Sequence, residues 1–383
     1  MTEISRLCCG IAGAGDPLRY APRDRAYAHG PVIVWNCTRA CNLSCAHCYS
    51  ASGVGGAADE MSFPEAERMI GDLAKSKCPA ILFSGGEPCM RNDLPQLVKA
   101  ATSIGIKAVL STNGTLLNAE LLGKLADAGL SYVGISIDGP RPVHDSFRRV
   151  PGAFDKALRG LRLSKAAGIK TGVRMTINAL NAVLIPDVFS IMKEEGVSRG
   201  CFYHFVGAGR GATSQHLAPG RAETRRAVKT IIDETRRWFD DGGRPEILTV
   251  DNHADAPFVL MELEKTNSEA ATSARELLAR NGGNASGEKI GCIGWDGSVY
   301  IDQFSRDLSL GNVRECSFAE IWNNADTSTL AGARLEMLRN RKNRLGGRCA
   351  HCRWLDVCNG NLPADEGWPG NPSRCYLSDE EIA

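Results

Sequence analysis

The chain has 383 residues, 43% of them apolar, which is enough for one large domain and a smaller one that each bury a core. Forty-five basic residues stand against forty-four acidic, so no global field draws it to nucleic acid or to an anionic membrane, and a charged partner must be recognised locally. It holds no apolar run of about 18 residues, and the opening MTEISRLCCG lacks the layout of a signal peptide, which predicts a cytoplasmic protein with no membrane partner.

Residues 1–30 read as an N-terminal extension. From residue 31, short β-rich runs alternate with helical stretches that end at glycines, the pattern of repeated βα units around parallel strands. The predicted strands are VIVWN, AILFSG, KAVLST, YVGISI, GVRMTI and GCFYHF. Between them, helices are expected from Ser62 to about Lys77, from Asn118 to Gly129 and from Ala153 to Gly168. That makes six strand and helix pairs over residues 31–211, fewer than the eight of a full barrel, and ligands are expected at the carboxyl ends of the strands. After Gly211 the alternation is expected to stop. A charged helix from about Ala222 to Asp241 and two shorter helical segments make residues 212–287 a helical bridge. Beyond the NGGNASG run, CIGWDGSVYI predicts a hairpin turning at Asp296-Gly297, which opens a small cysteine-rich module over residues 288–383.

Fifteen cysteines without an export signal favour metal ligation over disulfides, and most crowd around residues 37–48 and 292–375. CNLSCAHCY spaces three thiols as C-x3-C-x2-C directly after the first strand: Cys41, Cys45 and Cys48. A cubane bound by three thiolates keeps one iron free to bind a substrate, whereas a zinc knuckle is the plainer reading of the spacing alone. After the second strand comes Ser84-Gly85-Gly86-Glu87-Pro88, whose glycines let the backbone approach a ligand while the carboxylate can hold an ammonium group; a tight turn is the plainer reading. The two motifs on adjacent parallel strands are far more specific together than either is alone. Near the C-terminus, Cys349, Cys352 and Cys358 form C-x2-C-x5-C, with Cys375 further on, the ligand set of a closed iron–sulfur or zinc site. Cys8, Cys9, Cys78, Cys89 and Cys201 have no correctly spaced partner and read as packed thiols.

CNLSCAHCY followed by SGGEP resembles the radical S-adenosylmethionine (SAM) superfamily, and the module, with its GNVREC element, resembles the SPASM/twitch extension of that superfamily. The resemblance implies an α/β fold, a partial (βα)6 barrel with a small C-terminal iron–sulfur module. It implies that Cys41, Cys45 and Cys48 hold a [4Fe-4S] cluster whose fourth iron is chelated by SAM, that Gly85, Gly86 and Glu87 bind the SAM amine, and that Tyr49 packs by the adenine. Later strand ends would contact the ribose and carboxylate of SAM, making Thr112, Asn113, Ser136, Asp138, Arg174 and Asn178 candidates, although polar residues also cap strands for purely structural reasons. Full SPASM domains carry another cysteine where this chain has Leu362, so one auxiliary [4Fe-4S] cluster is expected, at Cys349, Cys352, Cys358 and Cys375, with Cys292 and Cys316 left over.

TVDNHAD, NGGN, IDQF and CRWLDVCNGN resemble the branch of the superfamily that acts on iron tetrapyrroles, the AhbC, AhbD and NirJ groups, and ISRLCCG with DPLRY is similar to the opening of the AhbC group. That resemblance implies removal of acetate side chains from didecarboxysiroheme to give iron-coproporphyrin in the siroheme-dependent haem pathway, with an external electron donor. NirJ-type propionate removal and SPASM-type peptide modification are the alternatives. Asp251 and His253 in the DNHAD run are the candidate catalytic residues, and His204 is placed at a strand end facing the cavity. A substrate fringed with carboxylates needs cations, and the basic run between Arg334 and Arg353 is one source of them.

Overall fold

The computed structural model describes residues 1–13, 15–20, 29–361 and 374–383; Leu362 lies outside them. The strands are β1 (Thr2–Glu3), β2 (Val32–Thr38), β3 (Ala80–Gly85), β4 (Lys107–Thr112), β5 (Tyr132–Ser136), β6 (Thr171–Ile177), β7 (Arg199–His204), β8 (Glu246–Val250), β9 (Ile290–Ile293), β10 (Ser298–Tyr300) and β11 (Gly311–Asn312). Among the described residues they join one 11-stranded sheet in the order β1-β8-β7-β6-β5-β4-β3-β2-β9-β10-β11. The six predicted strands are β2 to β7, paired parallel neighbour to neighbour.

The parallel strands β2 to β7 are largely buried because a βα barrel covers them on both faces. Alternation of side chains then sorts the residues. Trp35, Phe83, Leu110, Ile135, Met175 and Phe202 point outward and join the buried core beneath the helices. Their neighbours Val34, Leu82, Val109, Ser136, Arg174 and Cys201 point inward and line a cavity along the barrel axis. The helices begin where predicted. Ser62 caps the helix Phe63–Lys75, with Glu65 accepting the Ser62 backbone N–H at 2.8 Å, and Asn118 caps Ala119–Asp127 through the Leu121 N–H at 2.9 Å.

Two expectations about organisation need correction. The alternation does not stop at Gly211: after the charged helix Arg221–Asp240 comes β8, which pairs parallel with β7 and so continues the barrel into the span read as a helical bridge. The module is also not a separate layer. Its first strand, β9, pairs parallel with β2 at the other edge of the barrel, and the predicted hairpin at Asp296-Gly297 adds β10 antiparallel to it. The N-terminal residues close the opposite edge, with β1 antiparallel to β8 and the helix Ile4–Cys9 buried through Ile4 and Leu7. No described helix is long and apolar enough to cross a membrane.

Candidate active site

The loop after β2 carries the first three cysteines, and all of them line the barrel cavity. Each sulfur meets a hydrogen-bonding group: the Leu43 N–H donates to Cys41 Sγ at 3.4 Å, Ser50 Oγ lies 3.3 Å from Cys48 Sγ, and Arg148 Nη1 donates to Cys45 Sγ at 3.7 Å. Burial pushes the Cys41 thiol up to about 12 and raises that of Cys45 against the pull of Arg148, so thiolates here need a cationic partner to form. Three thiols on one cavity wall, each with a donor in reach, are the donor set of a cubane held by three thiolates, although among the described residues the sulfurs are not drawn together around a metal position. The loop is clamped from the segment after β7. Arg210 donates from its backbone N–H to Cys48 O at 2.9 Å and from Nε to Cys45 O at 3.0 Å, and its guanidinium also reaches Ser52 O. Gly209 has φ +57°, and a Cβ there would collide with the carbonyl oxygens of Tyr49 and Cys48. Arg148 and Arg210 were not singled out from the sequence.

The loop after β3 brings Gly85 and Gly86 to the cavity wall. Gly85 has φ +124°, and a Cβ on Gly86 would strike Ala40 O, so both glycines are required for this strand end to lie against the cysteine loop. Glu87 is placed differently from expectation. It is fully buried, does not line the cavity, and its carboxylate accepts from Thr112 Oγ1 at 2.6 Å, Asn113 N at 2.8 Å and Cys89 N at 3.1 Å. In this geometry it ties the ends of β3 and β4 together and stays off the cavity wall.

Thr112, Asn113, Ser136, Tyr49 and Arg174 do line the cavity, as expected. The Tyr49 hydroxyl is held by Asn36 Oδ1 at 2.8 Å and Ser84 Oγ at 3.0 Å, with Phe304 edge-on to its ring. Asp138 and Asn178 do not reach the wall. Asp138 is fully buried, receiving Arg148 Nε at 2.6 Å and the Thr176 N–H at 3.0 Å, so it orients the guanidinium that faces Cys45. Asn178 is consumed by the turn after β6, where its Oδ1 accepts from Leu180 N at 2.9 Å and its Nδ2 donates to Thr176 O at 3.1 Å. Both were chosen as polar strand ends; the chain's own backbone and ion pairs occupy them.

Opposite the cysteine loop, the ends of β7 and β8 carry His204, Asp251 and His253, all on the cavity wall. Asp251 sits at φ +69° and burial raises its carboxyl to about 6, with nearby Asp302 adding to the shift. Burial holds His253 well below the usual histidine range, and hence neutral. His204 Nε2 lies 2.9 Å from Asp255 Oδ2, and the Tyr376 hydroxyl donates to Asp255 Oδ1 at 2.8 Å.

The other cysteine set gathers at the far end of the module. Cys349, Cys352, Cys358 and Cys375 line one small apolar recess with Trp354 and Leu377. Burial drives the Cys358 thiol well above its ordinary range and the other three thiols add to the shift, the behaviour of sulfurs crowded into a shared site. The four fit a closed iron–sulfur site. Cys292 lies fully buried on β9, where Asn36 Nδ2 donates to its sulfur at 3.4 Å, while Cys316 is exposed.

The barrel cavity measures about 540 Å³, the size of a site for a sizeable organic ligand. The cations on its wall do not come from the basic run at Arg334–Arg353. Arg341 of that run is buried on the carbonyls of Ser286 and Asn359, and Arg348 pairs with Asp379. Arg174 instead projects half-buried into the cavity over the Tyr203 ring at 4.3 Å, with no ion pair among the described residues. Lys170 and Arg199 line the same wall, both paired with Glu246.

Residues 35–189 match the model of the radical SAM superfamily, and residues 286–353 match that of SPASM, an iron–sulfur cluster-binding domain. The solved structure of anSMEcpe with bound AdoMet superposes with a TM-score of 0.69 at 19% identity over 92% of this chain and 95% of that one, a likeness of fold. The chain belongs to the radical SAM enzymes, whose barrel domain binds SAM and a [4Fe-4S] cluster and whose SPASM domain binds auxiliary iron–sulfur clusters. Within them it falls in the tetrapyrrole-modifying branch of haem biosynthesis. The Fe-coproporphyrin III synthase of Methanosarcina barkeri is 46% identical over 100% of this chain and 99% of the relative. The pre-heme d1 synthase of Dinoroseobacter shibae is 37% identical over 94% and 91%.

Proposed function

We propose that this enzyme removes two acetate side chains from didecarboxysiroheme, leaving methyl groups and yielding iron-coproporphyrin, with an external electron donor. The observation that carries the reading is one continuous cavity that joins the Cys41, Cys45 and Cys48 sulfurs to Arg174, His204, Asp251 and His253. It is supported by full-length similarity to a relative named for iron-coproporphyrin.

When bound, the cluster and SAM supply a 5'-deoxyadenosyl radical able to abstract hydrogen from an unreactive carbon. The chain's own residues supply the rest. Cys41, Cys45 and Cys48 would hold the cluster, Arg210 fixes their loop, and Arg148, aligned by Asp138, faces the Cys45 sulfur. Gly85 and Gly86 would leave room for the amine end of SAM, Tyr49 would flank its adenine, and Thr112, Asn113 and Ser136, on the same cavity wall, would meet its polar edge. The guanidinium of Arg174, held over the Tyr203 ring, is suited to a substrate carboxylate. Asp251, with its raised pKa, can hold a proton near neutral pH on the wall that faces the substrate. Cys349, Cys352, Cys358 and Cys375 would hold one auxiliary [4Fe-4S] cluster.

The test is anaerobic incubation of the cluster-reconstituted enzyme with didecarboxysiroheme, SAM and dithionite, followed by mass analysis. Loss of two acetate groups with formation of 5'-deoxyadenosine is expected. Loss of propionate groups would point to the pre-haem d1 reaction, and an unmodified tetrapyrrole would overturn the proposal.

A further inference from the structure

We propose that His204 is the axial ligand of the substrate's iron and that Asp255 and Tyr376 are the positioning residues that fix it. The inference rests on the tetrapyrrole reading above and deepens it. Three observations carry it. His204 stands at the carboxyl end of β7 on the wall of the cavity. Its Nε2 is tied to a fully buried carboxylate, Asp255 Oδ2, at 2.9 Å, and the second oxygen of that carboxylate is filled by the Tyr376 hydroxyl at 2.8 Å. Its Nδ1 makes no hydrogen bond among the described residues and is not sealed, on a residue that lines the cavity.

The donor and acceptor inventory fixes the tautomer. Asp255 is at the first turn of the helix Asp255–Thr266, where the N-terminal end favours negative charge, so both oxygens act as acceptors. The Tyr376 hydroxyl donates to one, so Nε2 carries the hydrogen that meets the other, and in the neutral ring, the form that binds a metal, Nδ1 keeps its lone pair. A histidine whose far nitrogen donates to a buried carboxylate has its ring orientation set and its basicity raised, the arrangement that metal-ligating histidines show. His253, the candidate catalytic histidine on the same wall, has no such carboxylate on its ring among the described residues; its backbone N–H is held by Asn361 Oδ1 at 3.0 Å. His47 stacks on Phe147, and its Nδ1 is sealed from the cavity. Tyr376 follows Cys375, so the module reaches the ligand through one side chain, and the orientation of His204 depends on the module being folded.

The experiment uses reconstituted, SAM-loaded enzyme titrated with ferric iron-coproporphyrin III and, in parallel, with metal-free coproporphyrin III. Binding is followed by absorption and electron paramagnetic resonance. The wild type is expected to give a histidine-ligated iron spectrum. His204→Ala, and His204→Gln, whose amide keeps the donor to Asp255, are expected to lose that spectrum and recover it with added imidazole. Asp255→Asn is expected to weaken iron-coproporphyrin binding about 10- to 100-fold. Metal-free coproporphyrin should bind all these proteins alike. If the His204 variants keep the wild-type iron spectrum, or weaken the metal-free ligand as much as the iron one, the ligation is overturned while the tetrapyrrole reading stands. If the wild type binds neither ligand, both fall.

Discussion

Replacing Glu87 by glutamine separates two roles for this carboxylate. In the structure it is buried off the cavity wall and accepts from Thr112, Asn113 and Cys89, and SAM would contact the neighbouring glycine backbone. Gln has one acceptor oxygen and one amide nitrogen. If the nitrogen takes the place of Oε2, the Asn113 N–H loses its acceptor and faces another donor; if it replaces Oε1, the Cys89 N–H does, while Thr112 can turn its hydroxyl to accept. Stranding one buried backbone donor costs about 1–3 kcal/mol. Part of that is offset because burial already opposes the ionised form, raising the Glu87 pKa, and the amide is neutral. A net loss of about 1–2 kcal/mol is therefore expected in the SAM-free protein. Glu87→Ala strands all three donors and opens a cavity, for a loss of about 3 kcal/mol or more. The assay is denaturant unfolding of the SAM-free protein beside equilibrium binding of SAM. Unchanged stability of Glu87→Gln combined with a large loss of SAM affinity would refute the reasoning, because it would place the carboxylate on SAM and not on the chain.

Asp251 gives a pH signature. Its carboxyl is raised from 3.8 to about 6, so the folded protein binds its proton more tightly than the unfolded chain, and this group lowers stability as pH rises from about 4 to about 6, with the loss then constant at higher pH. Asp251→Asn, which tolerates the φ of +69°, is expected to be more stable than the wild type at pH 8, by up to about 3 kcal/mol, and indistinguishable from it at pH 4; melting across pH checks this. Arg210→Ala removes the bonds to Cys45 O and Ser52 O, so the reconstituted enzyme is expected to lose iron from the barrel cluster faster under chelator challenge, with the module's cluster unaffected. Cys375→Ser is expected to lower iron after reconstitution from about eight to about four atoms per chain while SAM binding persists; full iron content would break the four-cysteine assignment.

The C-x3-C-x2-C spacing, the paired glycines and the helix caps were legible because each is a local device: Ser62 and Glu65 meet within one turn, and Cys41, Cys45 and Cys48 share one loop. The seventh parallel strand was not. Glu246–Val250 is only five residues long and is flanked by helical patterns, and its strand state comes from pairing with β7 on one side and β1 on the other. Direction was equally hidden for polar strand ends. Thr112 and Ser136 reach the cavity, whereas Asp138 and Asn178 are claimed by Arg148 and by the turn at Leu180.

The amino-acid order alone determined the chemistry available: three thiols on one loop, four more in a module, and βα units that bring strand ends to a common mouth. Only the tertiary structure decided which charged groups face that mouth. His204, Asp255 and Tyr376 lie 51 and 121 residues apart along the chain at their two contacts, and Arg174 was told from the basic run after Arg334 only by the face of the barrel on which it stands. Spacing carries information about neighbours in sequence, whereas burial and hydrogen-bond competition are settled between segments that the sequence keeps far apart.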